Sequence, residues 1–372
     1  MRLRTAVVTA TATLGAGTAA IVAVGRYGSR FALRPSAEDP AKEGVVTVHA
    51  VTADRVVLTR TVASARPGTY GLTADGLHAL AGDVVDGTAY TVTRKLLAVP
   101  HGSLDPGTPV RLTPQVHCGN PRTALGLDYT EVDVPSELGP LPGWYLPGSR
   151  NTWVITVHGL GTTRAHALNV LPALHRDRFT QLALGYRNDP EAPPSPDGIA
   201  HLGRTEWRDL DAAMRYAVDY GAERIVLYGW STGATMALHA SRLSALKDRV
   251  SGLVLDSPVL DWRATVAAAA EGHGLPAPLA PLAVRAAEGR SEPHGRYGGT
   301  APADPAPPQV PTLVFHGPDD TLAPWGRSRE LAARLPELVV LHTVLGAQHG
   351  AMWNADPATY EETLRRFLTP LM

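Results

Sequence analysis

The sequence predicts an α/β protein: a mostly parallel sheet flanked by helices, with a small β-rich module and a hydrophobic span before it. Three observations carry that expectation. From about residue 126 onward, short apolar runs bounded by turn residues alternate with amphipathic stretches of helical length, as βα units around a buried parallel sheet do. Between residues 35 and 125 the texture is β-branched and period-two, cut by Gly, Pro and Asp, which reads as strands joined by tight turns. At the start, an uncharged run from Ala6 to Gly25 lies between Arg2 and Arg4 on one side and Arg26, Arg30 and Arg34 on the other.

Composition sets the outer bounds. With 372 residues, 44% hydrophobic and 19% charged, the chain can bury more than one core and is not a disordered polymer. Thirty-four basic against 35 acidic side chains leave a formal net charge of -1. No nucleic-acid partner is expected, because phosphate binding needs a basic excess or stripe. The single cysteine, Cys118, excludes an internal disulfide and a thiolate-rich metal site.

In chain order, Ala6–Gly25 has the length of a helix across a bilayer core, although Ala, Thr and Gly make it a weak hydrophobe. Residues 1–34 are therefore expected to be a single N-terminal span in the cell membrane. A signal segment, cleaved to give a secreted protein, is the alternative. Arginines at both ends leave orientation open. In the β-rich module, Val45–Val51, Arg55–Thr61 and Tyr90–Val99 are expected strands, with turns at Asp86-Gly87 and Pro106-Gly107. His101 and His117 stand singly and suggest no chemistry.

Residues 126–372 form the α/β part. Its expected strands are Thr152–Val157, Leu182–Leu184, Arg224–Leu227, Gly252–Leu255, Thr312–Phe315 and Leu338–Leu341. Its clearest helices are Glu206–Tyr220, Thr232–Leu246 and Gly326–Leu335. A Pro- and Ala-rich segment at about 261–310 interrupts the alternation and reads as a lid. Its apolar Leu275–Val284 portion fits a core-facing cap helix or an acyl-binding wall.

Ligands of parallel sheets bind beyond the carboxyl ends of the strands, so the residues just after each strand matter most. After the strand ending near Tyr228 comes Gly229-Trp230-Ser231-Thr232-Gly233, a G-x-S-x-G between strand and helix, which projects the serine from a sharp turn. A serine hydroxyl needs a base, itself oriented by an acid. His349, in Gly346-Ala347-Gln348-His349-Gly350, follows the last strand and is the expected base. Asp320 follows the strand before it and is the expected acid, with Asp319 and Asp256 as rivals. His316 reads as a structural turn residue. Val157-His158-Gly159-Leu160-Gly161 follows another strand, and the backbone N–H groups of Leu160 and Thr232 are the expected oxyanion donors.

With these residues in place, the stretch from about Leu127 to Leu368 resembles the α/β-hydrolase superfamily, near its serine aminopeptidase-like and acyl-hydrolase branch. Tyr186-Arg187-Asn188-Asp189, Leu202-Gly203 with Glu206-Trp207, Leu255-Asp256-Ser257-Pro258 and Met352-Trp353-Asn354 are similar to stretches of membrane-tethered actinobacterial members. The resemblance implies Ser231, Asp320 and His349 as a catalytic triad and Leu160 and Thr232 as oxyanion donors. Thr232 and Ala234 depart from that group, which often has Met and Gly there. Arg187, Asp189, Glu206 and Asp209 read first as a structural polar network, with recognition of a substrate amine by Glu206 as the alternative.

No HExxH, GxxxxGK[ST], CxxC or strand-linked GxGxxG competes, and His158, His166 and His175 have no common metal-ligand spacing. The expected function is a serine hydrolase acting on a small-molecule or lipid-like acyl ester, thioester or amide, most simply a carboxylesterase, without metal or organic cofactor. An aminopeptidase-type peptidase and a non-enzymatic tethered scaffold are the alternatives. The oligomeric state stays open.

Overall fold

The computed structural model describes residues 45–291, 301–302 and 304–372. The expected membrane span therefore lies outside the described residues, as do 292–300 and 303 of the expected lid. Among the described residues, no helix is long and apolar enough to cross a membrane.

The β-rich module closes into a six-stranded barrel. Its strands are β1 (Val45–Val51), β2 (Arg55–Thr59), β3 (Tyr70–Ala74), β4 (Leu77–Gly87), β5 (Thr91–His101) and β6 (Pro109–Thr113), in the order β1-β2-β5-β4-β3-β6 with β6 returning to β1. Period-two alternation turns one face of each strand inward: Val46 and Val48, Val56 and Leu58, Val110 and Leu112 are all buried. One inward position breaks the apolar rule. Arg94 of β5 is fully buried, and its guanidinium donates to the carbonyls of Gly82, Ser64, Arg66 and Gly68, which keeps a buried charge hydrogen-bonded.

The remaining strands build an eight-stranded sheet. They are β7 (Thr130–Ser136), β8 (Gly139–Leu146), β9 (Thr152–Val157), β10 (Thr180–Leu184), β11 (Arg224–Trp230), β12 (Val250–Asp256), β13 (Thr312–His316) and β14 (Val339–Thr343), in the order β14-β13-β12-β11-β9-β10-β8-β7. β9 to β14 run parallel, whereas β8 pairs antiparallel with both β10 and β7. The β7–β8 hairpin has no counterpart among the expected strands. Pro135, Pro140 and Pro142 mask it, because proline cannot donate to a ladder. Pro135 lies on the edge strand, and Pro140 and Pro142 precede the stretch of β8, Gly143–Leu146, that pairs with β10.

Alternate side chains of the parallel strands feed two apolar layers. Ile155, Leu182 and Leu227 pack with helices Trp207–Asp219 and Thr232–Leu243 on one face. Val154, Ala183 and Val226 pack with Leu171–Arg176 and Pro357–Leu368 on the other. Between β12 and β13 lie helices Trp262–Gly272 and Ala280–Ser291, within the segment expected as a lid. The sheet thus delivers the ends of β9, β11, β13 and β14 to one rim.

Candidate active site

Ser231 sits between β11 and the helix Thr232–Leu243 at φ 53°, ψ -116°, a region that costs a non-glycine residue about 1–3 kcal/mol. The surrounding packing enforces it. A Cβ on Gly229 would stand 2.3 Å from the Gly233 carbonyl group, and one on Gly233 would stand 2.3 Å from the Val157 oxygen. Both elbow glycines are therefore required for strand, turn and helix to approach this closely.

His349 lies on the loop after β14, and its Nε2 is 2.7 Å from Ser231 Oγ. Its Nδ1 is 2.8 Å from Asp320 Oδ2. A carboxylate can only accept, so Nδ1–H donates to Asp320 and Nε2 is left to accept the serine O–H. Burial alone would lower the His349 pKa, but the charge and hydrogen bond of Asp320 outweigh it and the net shift is upward. Burial alone would raise Asp320; His349 and His316 reverse that and hold it well below the usual carboxylate range.

Asp320 has three further hydrogen-bond partners. Oδ1 accepts the backbone N–H groups of Leu322 and Ala323, each at 2.9 Å. Oδ2 also receives His316 Nε2 at 2.9 Å, while His316 Nδ1 meets Ser328 Oγ at 2.7 Å. His316 is fully buried. It is a second imidazole on Asp320, and only the fold reveals that partnership.

The rivals lie elsewhere. Asp319 is exposed and accepts the Gly346 N–H at 2.8 Å. Asp256 is fully buried, bonded to Ser257 Oγ at 2.8 Å and Tyr360 Oη at 3.0 Å; burial pushes its carboxyl up to about 7 against those hydrogen bonds. Ser257 Oγ in turn accepts the Gly350 N–H at 2.9 Å, so this pair holds the His349 loop from beneath.

The Leu160 N–H is engaged: it donates to Thr232 Oγ1 at 2.9 Å. Thr232 N–H opens the helix, where amides lack intrahelical acceptors. Thr232 is thus both one expected donor and the side chain that occupies the other. Behind the elbow, His166 is buried and stacks on Trp230 with ring centroids 4.8 Å apart. Burial, then proximity to His158, lowers its pKa to about 3. Among the described residues, no group of three or more His, Cys, Asp or Glu could hold a metal ion.

Comparisons with known proteins bear on this geometry. Residues 152–274 match a family model described as the alpha/beta hydrolase fold, and residues 47–113 match a domain of unknown function, DUF8805. The esterase Pf2001 of Pyrococcus furiosus, in one crystal form, superposes with a TM-score of 0.53 at 21% identity, covering 68% of this chain and 94% of its own. A second crystal form gives 0.54 at 22%, covering 68% and 95%. The chain has the α/β-hydrolase fold. No curated protein matches it in sequence.

On this hydrolase fold the polar residues after β10 have structural partners. Arg187 bonds Asp209 through Nη2 at 2.7 Å and Nε at 2.8 Å, and Glu137 at 2.9 Å. Asp189 accepts His158 Nε2 at 2.8 Å and the Tyr186 N–H at 2.9 Å. The Glu206 carboxylate is buried and receives the backbone N–H groups of His201, Gly203 and Thr205. Above them, Trp262, Val266 and Ala287 of the two inserted helices cluster with Leu202, and Leu160 packs against that cluster.

Proposed function

We propose that the protein is a serine hydrolase that cleaves an acyl ester, thioester or amide through an acyl-enzyme, with carboxylesterase chemistry foremost. The observation that carries this reading is the unbroken hydrogen-bonded line Ser231–His349–Asp320 at the rim of the sheet. Ser231 Oγ attacks the acyl carbonyl as His349 Nε2 takes its proton, and the resulting imidazolium is stabilised by Asp320. His349 then returns the proton to the leaving group. Water attacks the acyl-enzyme with the same base.

The oxyanion would accept from the Leu160 and Thr232 backbone amides. For Leu160 this requires Thr232 Oγ1 to turn away, a rotation about one side-chain bond. The apolar cluster of Leu160, Leu202, Trp262 and Val266 favours an uncharged, hydrocarbon-bearing acyl group. Glu206, fully engaged with backbone amides, offers no carboxylate to a substrate amine, which favours the esterase over the aminopeptidase alternative.

Labelling of the purified chain by a fluorophosphonate probe tests this reading. The wild type is expected to be labelled and Ser231→Ala to remain unlabelled at the same melting temperature. A folded wild type without labelling would sink the proposal and leave the binding scaffold.

The pH profile supplies a second test. His349 must be neutral to act as base, so kcat/KM is expected to rise with pH through its pKa. That pKa is displaced upward, so the midpoint of the acid limb should lie above the ordinary imidazole value of 6.5. Asp256, pushed up to about 7, titrates nearby. The limb should persist in Asp256→Asn; its disappearance there would assign it to Asp256.

A further inference from the structure

We propose that the six-stranded barrel is a positioning module for the His349 loop: its turn at residues 64–69, moulded by Arg94, holds that loop in register with Ser231 and Asp320. Calling His349 a base rests on the serine-hydrolase reading; the bracing itself does not.

The barrel meets the hydrolase domain where the base is carried. Arg66 Nη1 donates to Gln348 Oε1, on the residue next to His349. Pro67 abuts Gly346, where a Cβ would lie 2.8 Å from the proline ring. Gly68, at φ +91°, packs so closely that a Cβ would stand 1.9 Å from the Asn354 oxygen. Thr69 N–H donates to that oxygen at 2.9 Å, and buried Asn354 returns Nδ2–H bonds to the Thr69 and Pro114 carbonyls at 2.7 and 2.9 Å. Ala351, two residues after the base, is fully buried and belongs to the barrel's own apolar core.

The loop needs such support. Gly346 and Gly350 both have positive φ, and glycine leaves a backbone freer than any other residue does. From the sheet side, Asp319 holds Gly346 and Ser257 holds Gly350. The barrel supplies the opposing side. Its turn takes its shape from Arg94, which ties the carbonyls of Ser64, Arg66 and Gly68 to β5. A chain of direct contacts thus runs from a buried barrel arginine to the neighbour of His349. It gives a use to the Asn354 motif and to the module of unknown function alike.

The test uses the full chain with Arg66→Ala, Gln348→Ala and the double variant; both side chains are only partly buried, so the fold should survive. Fluorophosphonate labelling, ester kinetics, melting temperature and the NMR titration of the His349 imidazole are compared. A base displaced by a fraction of an ångström to an ångström lowers kcat by about tenfold to a hundredfold, with KM little changed. Relaxed from Asp320, His349 should titrate at lower pH, while the other groups facing it, Asp256 and His166, stay in place. The double variant should lose no more than the worse single one.

Unchanged kcat and His349 titration in both single variants would overturn the proposal, leaving the barrel as packing alone. Strictly additive losses would overturn the Arg66–Gln348 link on which it stands. A wild type that is never labelled, with a His349 titration that moves in Arg66→Ala, would sink the hydrolase reading and support the bracing.

Discussion

Ser231→Ala and His349→Ala are each expected to lower kcat for an activated ester by roughly 10⁶, and the double variant to lose no more. On the proposed mechanism, the 2.7 Å contact between Ser231 Oγ and His349 Nε2 makes nucleophile and base one device. Without the hydroxyl the imidazole has nothing to deprotonate in the acylation step; without the imidazole the hydroxyl stays protonated and inert. What remains in all three variants is the same residue of catalysis, from substrate binding and the oxyanion donors. The substitutions should leave the fold intact. Alanine at Ser231 inherits the φ of 53° and needs no more room than serine. Losses that multiply in the double variant would show that the two residues act in separate events.

The parts of this site that local patterns could reveal were those at strand ends. Ser231 follows β11 directly, Asp320 comes four residues after β13 and His349 six residues after β14, and the tight turn after β11 requires glycines that stand in the sequence as Gly229 and Gly233. Asp320 could be told from its neighbour Asp319 only in three dimensions, by which carboxylate turns inward. His316 was expected in a turn but ends β13, paired with Thr343 of β14, and its bond to Asp320 depends on the chain folding back four residues later. The β7–β8 hairpin was hidden by its prolines. The engaged Leu160 N–H depends on a side-chain rotamer of Thr232, 72 residues away in sequence, and no periodicity encodes it.

Barrel and hydrolase domain show the same limit over a longer range. Arg66 and Gln348 are 282 residues apart, and neither belongs to a recognisable motif. One signal was present nonetheless. In β5 the inward positions run Val92, Arg94 and Leu96, with Val92 and Arg94 fully buried. An arginine at an inward position of an otherwise alternating strand demands buried acceptors, and the carbonyls of Gly82 and of the 64–68 turn are those acceptors. The charge marks where the barrel must fold its own backbone around a side chain, and that turn is what reaches the His349 loop.

Asp320→Asn is expected to lower kcat by about 10⁴ and to move the acid limb of the profile to lower pH. The cause is geometric. Oδ2 faces two imidazole N–H groups, from His349 and His316, and Oδ1 faces two backbone N–H groups, from Leu322 and Ala323. All four neighbours donate, and a carboxylate satisfies them because it only accepts. An asparagine must point its amide nitrogen at one pair. Turned toward the histidines, it forces His349 into the other tautomer, with its proton on Nε2 facing Ser231. Turned toward the loop, it sets two donors against the amides of Leu322 and Ala323, each buried conflict costing about 1–3 kcal/mol. Either orientation removes the charge that raises the His349 pKa. Asp319→Asn should stay within a few-fold of wild type, since an amide oxygen can still accept the Gly346 N–H. Asp256→Asn should cost less than Asp320→Asn because Asp256 makes no hydrogen bond to His349 and is bonded to its loop through Ser257. A loss in either variant as large as that of Asp320→Asn would move the role of the acid to that residue.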